Sequence, residues 1–471
     1  MNFITLAFFI FLAVAALVYY ILPRIARAAW LLCCSYVFYL YDPANAGYLV
    51  LLCAATLVTW GAGLVLERVQ RPAARKAVLA VCVAVCIGSL GFYKYAGMVT
   101  QWLNGLWGLF GQKDAFTAPS FAVPLGISYF SFMALGYAID VYRGKPAEHN
   151  VVHYALFVSF FPCIVTGPIE RGEHILPQLA SPAPFEYGRF CGGMFRILWG
   201  LFKKLVVADN IGVIVASVYG SVTQEAYTGP VFLLASVLFA YQLYCDFSAC
   251  TDIAIGAGEM FGIRLMENFH RPLAAHSFTD LWRRWHISLT NWFRDYLYIP
   301  LGGNRCSKPR WMFNLLVVWA ATGIWHGASW NYLIWGLYFF VLLMLEKFFL
   351  LNVLNRAPAL VGHVYTLFFV VVSWAIFGLE DFSQLTGYLQ VMFGLAGAPL
   401  IDSALGYYLT SYLPILCAAA VASTPLAARL FRKLPSLPAR TVETVLIVAG
   451  LVVCTAYLVD GTYNPFLYFR F

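Results

Sequence analysis

Chemistry in this chain must come from few side chains, and two of its eight histidines stand out. Trp325-His326-Gly327 closes an apolar run that begins after Lys308 and Arg310. The roughly fifteen intervening residues span about 22 Å as helix, short of the roughly 30 Å hydrocarbon core of a bilayer, so the spacing puts His326 at membrane depth. An ionisable group there is costly and marks a functional candidate; a neutral imidazole hydrogen-bonded between helices is the plainer alternative. His286 sits in a stretch rich in Trp and Arg, bordering an apolar face. Two imidazoles on different elements suit proton transfer, because a buried ring stays neutral and can take a hydroxyl proton near neutral pH. A metal site would need more ligands, and only Asp246 and Asp252 share so apolar a setting, so no metal is expected.

The elements holding these residues follow from composition. Of 471 residues 62% are hydrophobic and 11% charged, and so few charges cannot cover a soluble globule of this size. A soluble enzyme is thereby excluded and an all-α polytopic membrane protein implied, with about 11–12 transmembrane helices plus re-entrant or interfacial ones. The net charge of +8 reflects Lys and Arg clustered between apolar runs, the pattern of cytoplasmic loops and not of a nucleic-acid surface. Arg24 with Arg27, then Arg68 to Lys76, Arg143 with Lys145, Lys203 with Lys204, and Arg429 to Arg440 all read as inner-face markers. They leave the N- and C-termini outside. His153 to Thr166 is too short to span and closes on Gly167-Pro168, so it reads as re-entrant or interfacial. The Cys pairs, 33 with 34 and 82 with 86, lie in apolar runs and read as small buried hydrophobes.

Around His286, Ser277 and Asp280 make a capping box, and Trp285, Leu289, Trp292 and Tyr296 recur at helical spacing. Arg283, Arg284, Arg294 and Asp295 flank that face. The pattern predicts one amphipathic helix at the cytoplasmic side, within a polar element over 251–310. The alternative is a simple interfacial anchor.

These same residues carry a resemblance. Arg283-Arg-Trp-His-Ile-Ser-Leu-Thr290, then Trp292-Phe-Arg-Asp-Tyr-Leu-Tyr-Ile-Pro-Leu-Gly-Gly-Asn-Arg305, and the later Trp325-His-Gly with Trp330 resemble the membrane-bound O-acyltransferase family. Tyr244 to Gly256, Phe160 to Ile169 and the closing Asn464-Pro-Phe-Leu-Tyr-Phe-Arg-Phe471 are similar to its bacterial alginate and peptidoglycan O-acetyltransferase branch. Two departures are Ala249-Cys250 in place of the branch's usual Gly-Tyr, and Cys163 where Gln is common.

The resemblance implies a ring of helices around a central tunnel, with His326 as the principal catalytic residue and His286 as the second. It implies one domain over 1–471: five spans in 1–145, a catalytic core in 146–350, and spans with an outer-face tail in 351–471. Acetyl-CoA is the implied donor, with no bound cofactor, and Arg283, Arg284 and Arg294 are candidates to meet its phosphates. Trp285, Asn291, Trp325 and Asp246 are candidates to line the tunnel. Tyr468 is the candidate transient acyl carrier, although Phe466, Tyr468, Phe469 and Phe471 also suit an aromatic interfacial anchor. An extracytoplasmic polysaccharide is the implied acceptor, reached through an outer-face SGNH or esterase-like transferase at the bacterial inner membrane. A transporter or flippase fits the same composition, and a lipid O-acyltransferase fits the same superfamily.

Overall fold

The computed structural model describes residues 1–108, 116–117, 119, 122–220, 227–395, 403–423, 433, 436–460 and 466. Its regular elements are helices, with no strand among the described residues. Among the described residues, five helical stretches are long and apolar enough to cross a bilayer: Pro43–Arg68, Pro72–Gly108, Gly229–Met260, Trp330–Leu354 and Ala359–Gly378. Leu6–Ile21, Val151–Ile164 and Thr444–Val459 are shorter apolar stretches. The protein is a multi-pass, all-α membrane protein.

Two compact units divide the chain. The first comprises Met1–Ile197, Ile253–Glu267 and Asn291–Pro300. It contains α1 (Leu6–Ile21), α2 (Arg24–Leu40), α3 (Ala46–Arg68), α4 (Pro72–Gly108) and α5 (Ile127–Tyr142). With 37 residues, α4 runs to about 55 Å and includes Trp102 and Trp107. The apolar run after Asn150 is broken into α6 (Val151–Ser159) and α7 (Phe161–Ile164). Non-helical backbone survives at depth only when protein groups satisfy it. Here Phe161 N–H donates to Ser35 Oγ at 3.1 Å, and the buried Tyr154 hydroxyl donates to Thr59 at 2.7 Å.

Some arginines read as loop markers instead join helices. Arg27 is buried, donates to the Ala183 carbonyl at 3.0 Å and lies over the rings of Tyr19 and Tyr20. Arg75 donates to Val69 and Tyr142 carbonyls at 3.1 and 2.7 Å, just past α3 and at the last turn of α5, where a cation also complements the helix dipoles. After these come α8 (Gly172–Ala180) and α9 (Tyr187–Leu201).

The second unit comprises Leu198–Asp252, Asn268–Thr290 and Leu301–Phe471. A π-helical turn, Phe202–Ala208, leads into α10 (Asp209–Gly220) and α11 (Gly229–Met260), the last few residues of α11 belonging to the first unit. Then come α12 (Phe278–Leu281), α13 (Ile287–Phe293), α14 (Lys308–His326), α15 (Trp330–Leu345), α16 (Leu351–Leu354) and α17 (Ala359–Gly378). The C-terminal helices are α18 (Phe382–Met392), α19 (Ser403–Ser411), α20 (Leu413–Ser423) and α21 (Ser436–Asp460).

Lys203 and Lys204, read from the sequence as inner-face markers, are buried ions. Lys204 Nζ lies 2.8 Å from Asp246 Oδ1 and 2.7 Å from Asp209 Oδ1, and Lys203 Nζ lies 2.6 Å from Asp252 Oδ2. Carboxylates on α10 and α11 balance these lysines, as buried charge requires.

Candidate active site

A tight hairpin sets the position of His326. α14 and α15 meet where Gly323 lies against the Tyr332 carbonyl and Gly336 against the Trp319 carbonyl, each leaving no room for a Cβ. Small residues that let backbones touch are the usual means of packing helices in lipid. With 19 residues, α14 extends about 28 Å, longer than the apolar run alone suggested. His326 is its last residue, half-buried, with its ring 5.1 Å from Trp335 and 5.5 Å from Phe377.

The His286 segment departs from expectation. The single amphipathic helix is two short helices, α12 and α13, interrupted at His286, whose φ of +46° is left-handed. Competing hydrogen bonds explain the break. Ile287 N–H donates to the Asn268 carbonyl at 3.0 Å and Ser288 N–H to Asn268 Oδ1 at 3.1 Å, so neither joins a helical ladder. A left-handed non-glycine residue costs about 1–3 kcal/mol and is tolerated where its surroundings over-determine it. Trp285 contributes by packing its ring 5.1 Å from Phe269 and 5.2 Å from Trp374. Half of the expected capping box forms, since Ser277 Oγ accepts from Asp280 N–H at 3.1 Å while the Asp280 carboxylate accepts from Arg284.

Glu346, which the sequence reading passed over, anchors the start of α12. Its buried carboxylate accepts from Phe278 N–H at 2.5 Å, Thr279 N–H at 2.8 Å and the Thr279 hydroxyl at 2.8 Å. A lone carboxylate ending the apolar run of α15 was the available signal.

The His286 tautomer follows from its neighbour. Ser288 N–H can donate only to an oxygen, which fixes the orientation of the Asn268 amide, and Ser288 Oγ donates to the same oxygen at 2.9 Å. His286 Nδ1, 3.2 Å from that acceptor, therefore carries a hydrogen, and Nε2 of the neutral ring carries a lone pair. Nε2 is buried without a hydrogen-bond partner, as is Asn268 Nδ2. An unpaired buried polar atom costs about 1–3 kcal/mol, which favours a role beyond packing. Burial lowers the His286 pKa from the ordinary 6.5 to about 3, keeping the ring neutral. Phe247 and Trp325 face it edge-on at 4.8 and 5.9 Å, and the Trp325 ring is also 5.0 Å from His326. One indole thus borders both imidazoles.

The other sequence candidates separate. Asp246 is buried in its pair with Lys204. Arg283 is exposed, whereas Arg284 is tied to Asp280 at 2.9 Å. Asn291 and Arg294 belong to the first unit, where Arg294 pairs with Asp295 at 2.8 Å. Tyr468 lies outside the described residues. Phe466 is buried with Lys204 Nζ 5.0 Å from its ring centroid, a cation–π distance.

Known proteins place this geometry in a lineage. The chain is 36% identical over 389 residues to a probable alginate O-acetylase of Pseudomonas aeruginosa, covering 82% of this chain and 73% of that protein. A peptidoglycan O-acetyltransferase of Helicobacter pylori is 31% identical over 427 residues, covering 83% and 79%. A teichoic acid D-alanyltransferase of Bacillus subtilis is 28% identical over 308 residues, covering 61% and 77%. Residues 82–380, which include both His286 and His326, match the membrane-bound O-acyltransferase family. The chain belongs to that family and is an O-acyltransferase.

Proposed function

We propose that the protein moves an acetyl group from cytoplasmic acetyl-CoA across the bacterial inner membrane for O-acetylation of an alginate- or peptidoglycan-type polysaccharide. The observation that carries this reading is the pair of imidazoles bordering one indole, one of them buried with a free lone pair. The names of the alginate and peptidoglycan relatives favour acetyl and a glycan.

His326 acts as general base. It takes the proton of the attacking hydroxyl as the new C–O bond forms and the C–S bond of the thioester breaks, and coenzyme A leaves as the thiol after taking up a proton. His286, neutral and acceptor-only at Nε2, orients the bound reactants. It cannot supply an N–H to a developing oxyanion, so the charge-stabilising alternative for this ring is disfavoured. Exposed Arg283 is the better placed of the two neighbouring arginines to meet donor phosphates.

Tyr468 carries the acyl group outward, its phenol activated by a base because its free pKa is near 10. Phe466, two residues earlier, is buried. The termini lie outside, and an outer-face SGNH or esterase-like partner completes transfer to polymer.

Acetyl-CoA turnover by detergent-solubilised protein tests the reading. His326→Ala should lose about 10²–10⁴-fold in kcat, and near wild-type turnover by this variant would remove the assignment. Mass spectrometry of the C-terminal peptide during turnover should find acetyl on Tyr468, and full activity in Tyr468→Phe would exclude the carrier role.

A further inference from the structure

Asn268 lies eighteen residues before His286, in the irregular segment after α11, and its side chain is fully buried. One amide oxygen gathers three contacts: the backbone N–H of Ser288, the hydroxyl of Ser288 and Nδ1 of His286. Its backbone carbonyl accepts from Ile287 N–H, and two residues on His270 N–H donates to the Arg284 carbonyl at 2.9 Å. Residues 268–270 thus form a short ribbon with 284–288, and the left-handed turn at His286 is held from one side chain and one carbonyl of the same residue. A carbonyl oxygen only accepts, so this arrangement fixes both the direction of the imidazole and which nitrogen bears the hydrogen.

We infer that Asn268 is a positioning residue for His286, fixing its tautomer and ring orientation so that Nε2 meets the reactants as an acceptor. The role rests on the reading that His286 belongs to the reaction centre. Asn268 acts on the reaction through the ring and not by contact with substrate. With Asn268 removed, Nδ1 loses its acceptor, the ring is free to rotate or exchange its hydrogen to Nε2, and the lone pair no longer faces one way. Phe247 and Trp325 meet the ring edge-on, Asp246 and Asp252 on α11 are engaged by Lys204 and Lys203, and Arg284 is engaged by Asp280.

The experiment is a double-mutant cycle on acetyl-CoA turnover by the detergent-solubilised full chain, combining Asn268→Leu with His286→Ala. Asn268→Leu should lower kcat by about 10²-fold with KM little changed, the scale of a misdirected acid–base group. The double variant should then be no slower than His286→Ala alone, because a residue that acts through the ring has nothing to act on once the ring is gone. Asn268→Asp, which keeps an acceptor oxygen for Nδ1 and Ser288, should recover at least part of the loss. A separate structural role for Asn268 multiplies the two losses instead, and that result overturns the inference, as does wild-type kcat in Asn268→Leu. The ratio between double and single variants is read on protein that has passed the same size-exclusion step, so a fold defect appears as added loss and counts against the inference. Wild-type turnover in His286→Ala removes the reading of His286 itself, whereas slow His286→Ala with additive Asn268→Leu removes only the role of Asn268.

Discussion

Substituting Gly323 by Ala tests whether hairpin spacing sets the position of the proposed base. A Cβ there overlaps the Tyr332 carbonyl oxygen and stands 3.1 Å from Leu333 Cα, both backbone atoms of α15. No flexible side chain is available to swing aside, so the helices must part. Restoring ordinary contact takes a separation of about 1 Å, and a reacting group misplaced by that much loses on the order of 10²-fold in rate. Gly323 is one turn before His326 on the same helix, so the displacement is passed along α14 with little damping. Acetyl-CoA turnover by purified protein should therefore show a kcat about 10²-fold below wild type, with the protein still folded and monodisperse. Gly91→Ala on α4 is the control, because nothing lies within 4 Å of its added methyl, and it should turn over normally. A Gly323→Ala protein with wild-type kcat would refute the reasoning, since either the hairpin does not hold His326 in register or His326 is not the base.

Three further outcomes follow from the buried polar groups. Glu346→Ala strips the acceptor from two backbone N–H groups and a hydroxyl at the start of α12, and should cost about 1–3 kcal/mol, read as a lowered thermal midpoint in detergent. Lys204→Met takes the cation from buried Asp246 and half-buried Asp209 and should cost about 3–5 kcal/mol; adding Asp246→Leu should recover part of it, and simple additivity would show that the ion pair is not coupled. The Glu170 carboxylate holds His174, at 2.8 Å, above its ordinary pKa of 6.5. A raised histidine stabilises fully below that ordinary value and loses its contribution as pH rises through its folded pKa. The thermal midpoint should thus fall across the window above pH 6.5 in wild type and fall less in His174→Gln.

The legible part of this fold was whatever depends on local pattern. Apolar runs marked the helices, Gly167-Pro168 marked the end of the short segment after Asn150, and Trp325-His326-Gly327 marked the end of α14, because each signal is confined to one turn or one span. What escaped depends on partners far along the chain. Arg27 and Lys204 look in sequence like any solvated loop cation. Arg27 finds the Ala183 carbonyl and Lys204 finds Asp246, 156 and 42 residues away, and no local rule reports such distances. The helix predicted through His286 had the right apolar residues, and Trp285 and Trp292 are indeed both buried. It failed because Asn268 competes for the backbone donors of residues 287 and 288.

That failure locates chemistry more sharply than the success around it. A continuous helix would have been easy for this sequence to form, and would have satisfied Ile287 and Ser288 N–H without help from Asn268. The chain instead keeps a left-handed histidine, at a cost of about 1–3 kcal/mol, together with an imidazole nitrogen and an amide nitrogen buried without partners. Packing alone does not explain that combination, since a helical residue with an apolar side chain at 286 would remove both the strain and the unpaired imidazole nitrogen. Replacing His286 by Gly relieves the strain, because glycine adopts a φ of +46° freely, but it empties the space of a fully buried ring, so the protein should be less stable than wild type yet more stable than His286→Ala, which opens a similar cavity and keeps the strain. A His286→Gly protein more heat-resistant in detergent than His286→Ala, with both turning over acetyl-CoA about 10²-fold more slowly than wild type, would show that the backbone is strained for the sake of the ring. A His286→Gly protein no more stable than His286→Ala would mean that the turn carries no such strain.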